Sequence, residues 1–323
     1  MTVEPSIHQW RQITAEEATQ RIDNYLCARL KSVPKSLIYR LLRSGAIRVN
    51  QRRIKPFYRL QPEDVIKIPA LRTAQAPIPL VKLSRVKALE HCILYEDDSL
   101  LLLNKPSGMA VHGGSGVTIG VIEGLRALYS KLSSLELVHR LDRDTSGLLM
   151  VSKKSSVLRA LHQQLREQQV KKCYYLLVHG CWPESCQQID APLLKRVLTS
   201  GERFVQVHPQ GKPATTKFKL LERFSQASLL QATLVTGRTH QIRVHVQSAG
   251  HPIVSDRHYG DRQLDAQLLK PGDPERLFLH AATLQFSHPK DNQPLLIKAP
   301  LEADLRKLLQ RLRVKKSENS IRS

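Results

Sequence analysis

Residues 138–147, VHRLDRDTSG, bring together the side chains best suited to chemistry in this chain. The segment holds two Asp, two Arg and one His. The apolar run at 148–151 predicts a buried strand directly after it, and Leu135 and Leu137 alternate with polar residues before it. A polar loop fixed beside a buried strand is a common place for catalysis. We expect a carboxylate among these cations to stay ionised and oriented, although such charges more often form surface ion pairs.

Two further segments, KPSGMAVHGGSG at 105–116 and TGRTHQIRVH at 236–245, carry comparable polar residues. Together with HRLD at 139–142, they resemble the RluA family of RNA pseudouridine synthases, which carry an HRLD-x-x-TSG signature. The likeness covers essentially the whole chain and is strongest to the RluC-type subgroup, whose members act on bacterial large-subunit ribosomal RNA. The N-terminal region is similar to the S4 RNA-binding domain.

The resemblance implies that specific uridines of 23S ribosomal RNA, or of a large-subunit precursor, are isomerised to pseudouridine. The N1 to C1′ glycosidic bond breaks, the uracil turns, and C5 bonds to the same sugar carbon. Because nothing is gained or lost overall, no redox cofactor, nucleotide or metal is required. The resemblance makes Asp142 the nucleophile, a role that a carboxylate also plays in glycosidases. Asp144 is then structural or solvent-facing.

Four other residues receive roles from the same resemblance. Arg243 pairs with the catalytic Asp, where a guanidinium favours the ionised carboxylate and holds its oxygens by a two-pronged hydrogen bond. Tyr174 stacks on the uracil or exchanges protons with it, and Leu279 packs under the ring. The target base must leave its stack to react, and Arg140 reaches into the vacated space. Without the resemblance, each of these residues also has an ordinary structural explanation. Arg243 fits a structural salt bridge, and Arg140 fits an ion-pair partner. Tyr174 and Leu279 fit core side chains.

The chain is strongly basic, with 50 Lys and Arg against 28 Asp and Glu and a formal charge of +22. Such a charge, spread along the chain, favours a nucleic acid partner over a membrane surface. No apolar run approaches a membrane span, and the polar start predicts no signal peptide, so we expect a cytoplasmic protein. Five cysteines without a CxxC pair predict reduced, mostly buried thiols and no zinc site.

A length of 323 residues suits two domains. Weak periodicity and several prolines predict a linker at 71–88. We therefore expect an S4-like RNA-binding domain at 1–70 and a catalytic domain at 89–314. A basic tail at 315–323 is expected to be disordered, and we expect the protein to be a monomer.

In the first domain, Thr14 and Glu17 form a capping box that predicts a helix at 15–31. A second helix is expected after Pro34. This helix and the strand after it carry a basic face that suits the phosphates of structured RNA. That face consists of Lys35, Arg40, Arg43 and Arg48.

The second domain belongs to the α+β class. Its strands follow one another without regular crossover helices, so we expect a mixed but mainly antiparallel central sheet. Strands are predicted at 100–103, 147–152, 174–179, 214–223, 228–235 and 278–286. Helices are predicted at 118–129, 156–169, 239–249 and 301–313.

Other motifs are weaker. VHGGSGVTIG at 111–120 lacks the Gly-Lys-Ser/Thr of a nucleotide loop, and His240 and His245 do not have the i, i+4 spacing of a helical metal pair. Two rival classes stay open. A non-catalytic S4-type RNA-binding assembly factor would leave the Asp, Arg and Tyr set unexplained. A nuclease that uses Asp142 and Asp144 with magnesium would need further carboxylates, and none cluster in the sequence.

Overall fold

The computed structural model describes residues 9–30, 33, 35–70, 86–113, 119–130, 132, 135–197 and 203–321. The chain divides into two units, 1–78 and 79–323, and each has a hydrophobic core of its own. The division falls within the linker expected at 71–88, of which residues 71–85 lie outside the described part of the chain.

The first unit is built from short elements that pack around apolar helix faces. Its elements are β1 (Gln9–Gln12), α1 (Ile22–Arg29), α2 (Lys35–Ser44), β2 (Arg48–Val49) and β3 (Val65–Ile68). The strands form an antiparallel sheet in the order β1-β3-β2. The two helices contribute fully buried side chains, including Ile22, Leu26, Ile38 and Leu42. The predicted second helix is confirmed.

The helix expected at 15–31 is interrupted, so that prediction is wrong over its first half. The N–H of Thr14 donates to Glu17 Oε2 (3.3 Å), as a capping box requires, but the turn that it caps is a 3₁₀ turn ending at Glu17. Thr19 then adopts a left-handed backbone (φ 67°), and its N–H donates to the carbonyl of Leu60 (2.7 Å). This contact with a distant segment replaces the helical hydrogen bonds, and α1 begins after it.

The second unit carries one large sheet with helices packed on it. Its first strands are β4 (Ile93–Glu96), β5 (Leu100–Lys105), β6 (Glu136–Leu137), β7 (Ser146–Ser152), β8 (Lys171–His179) and β9 (Gln188–Asp190). They are followed by β10 (Leu193–Val197), β11 (Arg203–Val207), β12 (Thr215–Arg223), β13 (Ala227–Leu234), β14 (Leu279–Ser287) and β15 (Pro294–Lys298). The helices are α3 (Val121–Leu128), α4 (Ser155–Arg166), α5 (Gln241–Ser248), α6 (Arg262–Leu268) and α7 (Ala303–Ile321). The strands and helices predicted for this unit are present, with shifted ends.

The large sheet has ten strands. Its main path is β4-β5-β7-β14-β8-β13-β12-β9, with β15 paired to β14 and β6 paired to β7. Among the described strands, β7 and β14 form the one parallel pairing, and the others are antiparallel. This confirms the α+β class with a mixed, mainly antiparallel central sheet. Strand β7, which follows the polar loop, is buried along its whole length.

Gly147 allows β7 and β14 to approach closely. The parallel register places Gly147 opposite Ala281. The φ of Gly147 is 106°, and an added Cβ would lie 2.3 Å from the carbonyl oxygen of Ala281. Only glycine meets both conditions. The close approach therefore sets the polar loop at 138–147 beside the start of β14.

Helix α7 packs its leucines into the core of the second unit and runs further than expected. Its buried side chains are Leu305, Leu308, Leu309 and Leu312. The helix continues to Ile321, beyond its predicted end at residue 313, and the disorder expected for the tail at 315–323 stays a prediction. Residues 314–321 contain no Gly or Pro, which are the usual signals that end a helix.

Within the described ranges, no helix has the length and apolar character that crossing a membrane demands. None of the five cysteines forms a disulfide; four of them are partly buried and Cys181 is exposed. The expectation that most of them are buried is therefore wrong. Cys27, Cys92 and Cys186 pack at the margin of a core and not inside it.

We expect Gly147→Ala to destabilise the second unit by about 3 kcal/mol, because the new Cβ meets a backbone carbonyl and φ becomes strained. Gly108→Ala is the matched control. Its φ is also positive (80°), but nothing lies within 4 Å of an added Cβ, so the expected cost is about 1 kcal/mol. Urea unfolding of each variant measures its loss of stability, with the fluorescence of the buried Trp182 as the signal in a Trp10→Phe background. Equal losses would contradict the close approach of the strands.

Candidate active site

The five residues to which the resemblance assigns chemistry all line one cavity. The cavity has a volume of about 360 Å³ and is bordered by the polar loop, by β8, by the start of β14 and by the segment at 237–243. The five lining residues are Arg140, Asp142, Tyr174, Arg243 and Leu279. The fold therefore gathers at one place side chains that are widely separated in sequence.

The KPSG segment at 105–108 anchors the polar loop. Lys105 is fully buried, and burial lowers its pKa to about 7. Its Nζ donates to three backbone carbonyls, those of Pro106, Met109 and Arg143 (2.9, 2.9 and 3.0 Å), which matches the three N–H donors of an ammonium group. Ser107 Oγ also donates to the carbonyl of Asp144 (2.7 Å). Two sequence motifs thus form one rigid base for Asp142.

Asp142 faces Arg243, which α5 carries. Arg243 Nη1 donates to Asp142 Oδ2 over 3.4 Å. The Asp142 side chain is 21% exposed, whereas that of Arg243 is 4% exposed, so the carboxylate is accessible from the cavity and the guanidinium is held behind it. The expected two-pronged hydrogen bond from Arg243 to Asp142 is not formed, and that prediction is wrong.

The two-pronged hydrogen bond goes to Asp256 instead. Arg243 Nε and Nη2 each lie 2.7 Å from one oxygen of the Asp256 carboxylate. The backbone N–H groups of His258 (3.0 Å) and Tyr259 (3.1 Å) donate to Asp256 Oδ1 as well. Burial alone would raise the pKa of Asp256, but these hydrogen bonds and the charge of Arg243 outweigh it and lower that pKa. The ionised Asp256 therefore occupies the fork of Arg243 and leaves Nη1 for Asp142.

The segment before α5 is fixed by the amide group of Gln241. Its Oε1 accepts from the N–H of Arg238 (2.9 Å) and from Thr236 Oγ1 (2.8 Å). Its Nε2 donates to Thr216 Oγ1 (2.9 Å) and to the carbonyl of Thr215 (2.9 Å). All four hydrogen-bonding positions are filled, so the turn that carries the cavity wall is tied to β12.

His240 is a cavity residue whose place the sequence analysis missed. The sequence analysis considered His240 only as a metal ligand together with His245. In the structure the two rings belong to different hydrogen-bond networks. His240 has a left-handed backbone (φ 53°, ψ 20°) directly before α5. Its Nε2 lies 3.7 Å from Asp142 Oδ1. A strained backbone at a non-glycine residue often accompanies a functional site, but this signal belongs to the folded chain and not to the sequence.

The surroundings of His240 determine which ring nitrogen carries the proton. The hydroxyl of Tyr259 accepts the backbone N–H of Val205 (3.0 Å) and can donate its own proton to His240 Nδ1, 2.8 Å away. Burial lowers the pKa of His240 despite the opposing charge of Asp142, so the ring is neutral at pH 7. A neutral ring that accepts at Nδ1 carries its proton on Nε2. An N–H donor therefore faces Asp142.

Tyr174 and Leu279 form the apolar side of the cavity. They lie on the paired strands β8 and β14 and are 7% and 3% exposed. Burial, together with the charge of Asp142, raises the pKa of Tyr174, so its phenol keeps its proton. Tyr175 does not line the cavity, as strand alternation predicts. Arg140 is exposed at the cavity.

The second carboxylate of the polar loop lies elsewhere. Asp144 is paired with Arg143 (3.0 Å) and lines a different cavity from Asp142. Among the described residues, no group of three or more His, Cys, Asp and Glu is arranged to hold a metal ion. Asp142 and Asp144 therefore do not form the shared metal site that a nuclease would need.

The basic face expected in the first unit lies on α2 and β2. Arg40, Arg43 and Arg48 are exposed, and the side chain of Lys35 is outside the described part. Arg43 Nε donates to the carbonyl of Tyr39 (3.3 Å), which leaves the rest of its guanidinium directed to solvent. The phosphate contacts assigned to these residues stay predictions.

Comparisons with known proteins agree with this geometry. The profile of the RNA pseudouridylate synthase family matches residues 99–248, and that of the S4 domain matches residues 20–66. Ribosomal large subunit pseudouridine synthase C of Pasteurella multocida is 56% identical over 310 residues, 95% of this chain and 94% of that protein. The protein of the same name from Escherichia coli K12 is 56% identical over 304 residues, 93% of this chain and 95% of that protein. A solved structure, human RNA pseudouridylate synthase domain containing 4, superposes with a TM-score of 0.58 at 25% identity, covering 72% of this chain and 96% of that one.

The chain belongs to the RNA pseudouridylate synthase family. It is an RNA pseudouridine synthase, an isomerase, with an S4 domain in its first unit. The matched range 99–248 includes Asp142, Tyr174 and Arg243, whereas Asp256 and Leu279 lie beyond it.

We expect nitrogen-15 NMR of histidine-labelled protein to show His240 as the Nε2–H tautomer at pH 7. Tyr259→Phe removes the donor to Nδ1, so the ring should then populate the other tautomer. His245 is an internal control. Its Nδ1 lies 3.0 Å from Thr216 Oγ1 and its Nε2 lies 3.1 Å from the Ala191 carbonyl, so it should be Nε2–H in both proteins. A wild-type His240 that is protonated at Nδ1 would contradict the assignment.

Proposed function

We propose that this enzyme isomerises specific uridines of 23S ribosomal RNA, or of a large-subunit precursor, using Asp142 as the nucleophile on a flipped-out base. The observation that carries the proposal is the position of Asp142. It is a partly exposed carboxylate in a cavity large enough for a pyrimidine ring, held between Arg243 and His240. The names of the relatives, which act on the large ribosomal subunit, support the substrate.

In the proposed reaction, an oxygen of Asp142 attacks or stabilises C1′ as the bond from N1 to C1′ breaks. The uracil leaves with the bonding electrons, turns within the cavity, and forms a new bond from C5 to C1′. Any bond formed between Asp142 and C1′ breaks in this step, and its electrons return to the carboxylate. The proton on C5 is lost and N1 gains one, so atoms and electrons balance with no cofactor. Arg243 orients the carboxylate through its single free Nη1, because Asp256 fixes the other two nitrogens.

The apolar wall suits a base that must turn. Leu279 and the ring of Tyr174 offer contact without hydrogen bonds that would hold one orientation, and the protonated phenol can still exchange a proton. Arg140, exposed at the cavity, is placed to enter the gap that an extruded uridine leaves in the RNA. An unstacking cost of a few kcal/mol is then offset by its contacts with the neighbouring bases and phosphates.

A second cavity of about 400 Å³ adjoins the first and indicates the path of the RNA strand. The two share Leu165, Lys172, Leu234, Gly237 and Arg238. The adjoining cavity is lined by five cations, Arg166, Lys171, Lys172, Lys217 and Arg238, and among its described lining residues none is Asp or Glu. The two cavities around Asp256, by contrast, carry both signs of charge: their lining includes Asp144, Asp265, Asp273 and Glu275 beside Arg143, Arg257, Arg262, Lys270 and Arg276. The strand that flanks the target therefore leaves along the cationic side.

We expect Asp142→Asn to form no detectable pseudouridine while RNA affinity and folding are retained, because the amide has the same size but no negative charge. Asp144→Asn is the matched control and should stay active, since Asp144 lies outside the cavity. Pseudouridine mapping of 23S ribosomal RNA after treatment with each variant measures the outcome. An inactive Asp144→Asn beside an active Asp142→Asn would overturn the nucleophile assignment.

We expect the double variant Lys171→Gln/Lys217→Gln to bind a single-stranded RNA substrate with a weaker salt dependence. Two lost phosphate contacts should reduce the slope of log affinity against log salt by about 1.4. The control is Arg262→Gln/Lys270→Gln, which removes two exposed charges from the cavity that carries Asp265, Asp273 and Glu275. A smaller salt slope for Lys171→Gln/Lys217→Gln than for the control variant supports the cationic path, and equal slopes for the two double variants exclude it.

A further inference from the structure

Trp10 stands on the exposed face of the small sheet in the first unit, in line with two cations. The register of β1 on β3 places Trp10 directly opposite Lys67, and that of β2 on β3 places Arg48 opposite Lys67 from the other side. Directly paired residues project from the same face of a sheet. The three side chains therefore form one row across the sheet, Trp10-Lys67-Arg48.

The indole is unusually open for its size. Trp10 is 54% exposed, whereas Ile66 and Ile68, which flank Lys67 on β3, are 0% and 7% exposed on the other face. The ammonium of Lys67 lies 5.4 Å from the centre of the Trp10 ring. The flat face of the indole is thus held beside a positive charge and is not packed into a core.

The row carries positive charge without nearby compensation. Within the described part of the chain, no carboxylate lies within 4 Å of the cationic groups of Lys67 or Arg48. Three carboxylates of this unit have other partners: Glu17 pairs with Arg11 and Arg29, Asp23 pairs with Arg21, and Asp64 accepts from Asn50 and Tyr58. Arg48 is partly tied by its Nε to the carbonyl of Gly45 (3.0 Å), which holds the guanidinium in place on the sheet.

We propose that Trp10, Lys67 and Arg48 form a stacking site for an unpaired nucleobase of the RNA substrate, with the flanking phosphates on the two cations. An aromatic ring with adjacent positive charges is the combination that binds single-stranded RNA, because every base has a face for stacking and every link has a phosphate. A duplex has no free base face, so it does not use this site. The inference rests on the proposed function in that it takes RNA as the ligand.

This surface shares Arg48 with the basic face of Lys35, Arg40, Arg43 and Arg48, which suits phosphates of structured RNA. A stacking platform adds recognition of an unpaired segment next to such a structure. The first unit would then require a junction of paired and unpaired RNA, which narrows the choice among many uridines.

The protein contains two tryptophans, and Trp182 is 1% exposed, so Trp10 can be followed by fluorescence in the full chain. Titration with a single-stranded oligoribonucleotide should quench the solvent-exposed emission, and Trp10→Phe should remove that change. A blunt-ended RNA duplex of the same strand length, which has no unpaired base, should leave it unaltered. Trp10→Leu should bind the single strand about tenfold more weakly, the scale of one lost base stack.

Lys67→Gln should weaken the quenching, and Lys298→Gln, an exposed lysine on the edge strand β15 of the second unit, should not. Equal quenching by the duplex, or an emission already shielded from solvent in the free protein, overturns the proposal. The latter would mean that another part of the chain covers Trp10. Pseudouridine formation is measured in the same samples. If RNA quenches Trp10 but no pseudouridine forms, the proposed function is contradicted and the stacking site is not. If pseudouridine forms without quenching, the stacking site is contradicted and the proposed function is not.

Discussion

The bond between Arg243 and Asp256 is the constraint on which the site depends. A guanidinium binds a carboxylate in a two-pronged way through Nε and one Nη or through both Nη groups. Here the fork of Nε and Nη2 is occupied by a carboxylate fully enclosed in the protein. The remaining nitrogen is fixed in direction because the fork cannot turn. Asp142 therefore meets a donor at a set position, without being locked into a symmetric ion pair that would bind up both of its oxygens.

The charge balance around Asp142 follows from this arrangement. Asp256 offsets most of the charge of Arg243, His240 is neutral, and the phenol of Tyr174 keeps its proton. The Asp142 carboxylate thus lies beside groups that can donate hydrogen bonds to it without adding a full positive charge. Electrostatic preorganisation of this kind lowers a barrier because the groups need not reorganise when positive charge develops at the sugar carbon.

Sequence alone identified the large elements and the residues within motifs. Strands such as β5 and β7 are continuous apolar runs, and α5 and α7 repeat their apolar residues at helical spacing, so local pattern and final structure agree. The strands that escaped prediction, such as β6 and β9, are short, and their pairing with longer neighbours creates them. The break after Glu17 arises from a hydrogen bond to Leu60, which no local pattern contains.

In the site, the residues found in advance were those inside recognisable motifs. The role of Asp256 was not predictable, because it depends on which face of the Arg243 guanidinium meets a loop that follows α5. The same applies to His240, whose ring orientation is set by Tyr259, a residue distant in sequence. Hydrogen-bond geometry between loops is a property of the folded chain, and spacing within a motif does not encode it.

The parallel pairing of β7 with β14 has a consequence for the order in which the protein is made. Ser146 and His280, which face each other in it, are 134 residues apart. During synthesis, Asp142 leaves the ribosome well before β14 exists, so the cavity has no Leu279 wall and β7 has an unpaired edge. Such long-range pairing forms slowly and late. The growing chain therefore carries the Asp142 carboxylate in an incomplete cavity until β14 has been synthesised and has paired with β7 at Gly147.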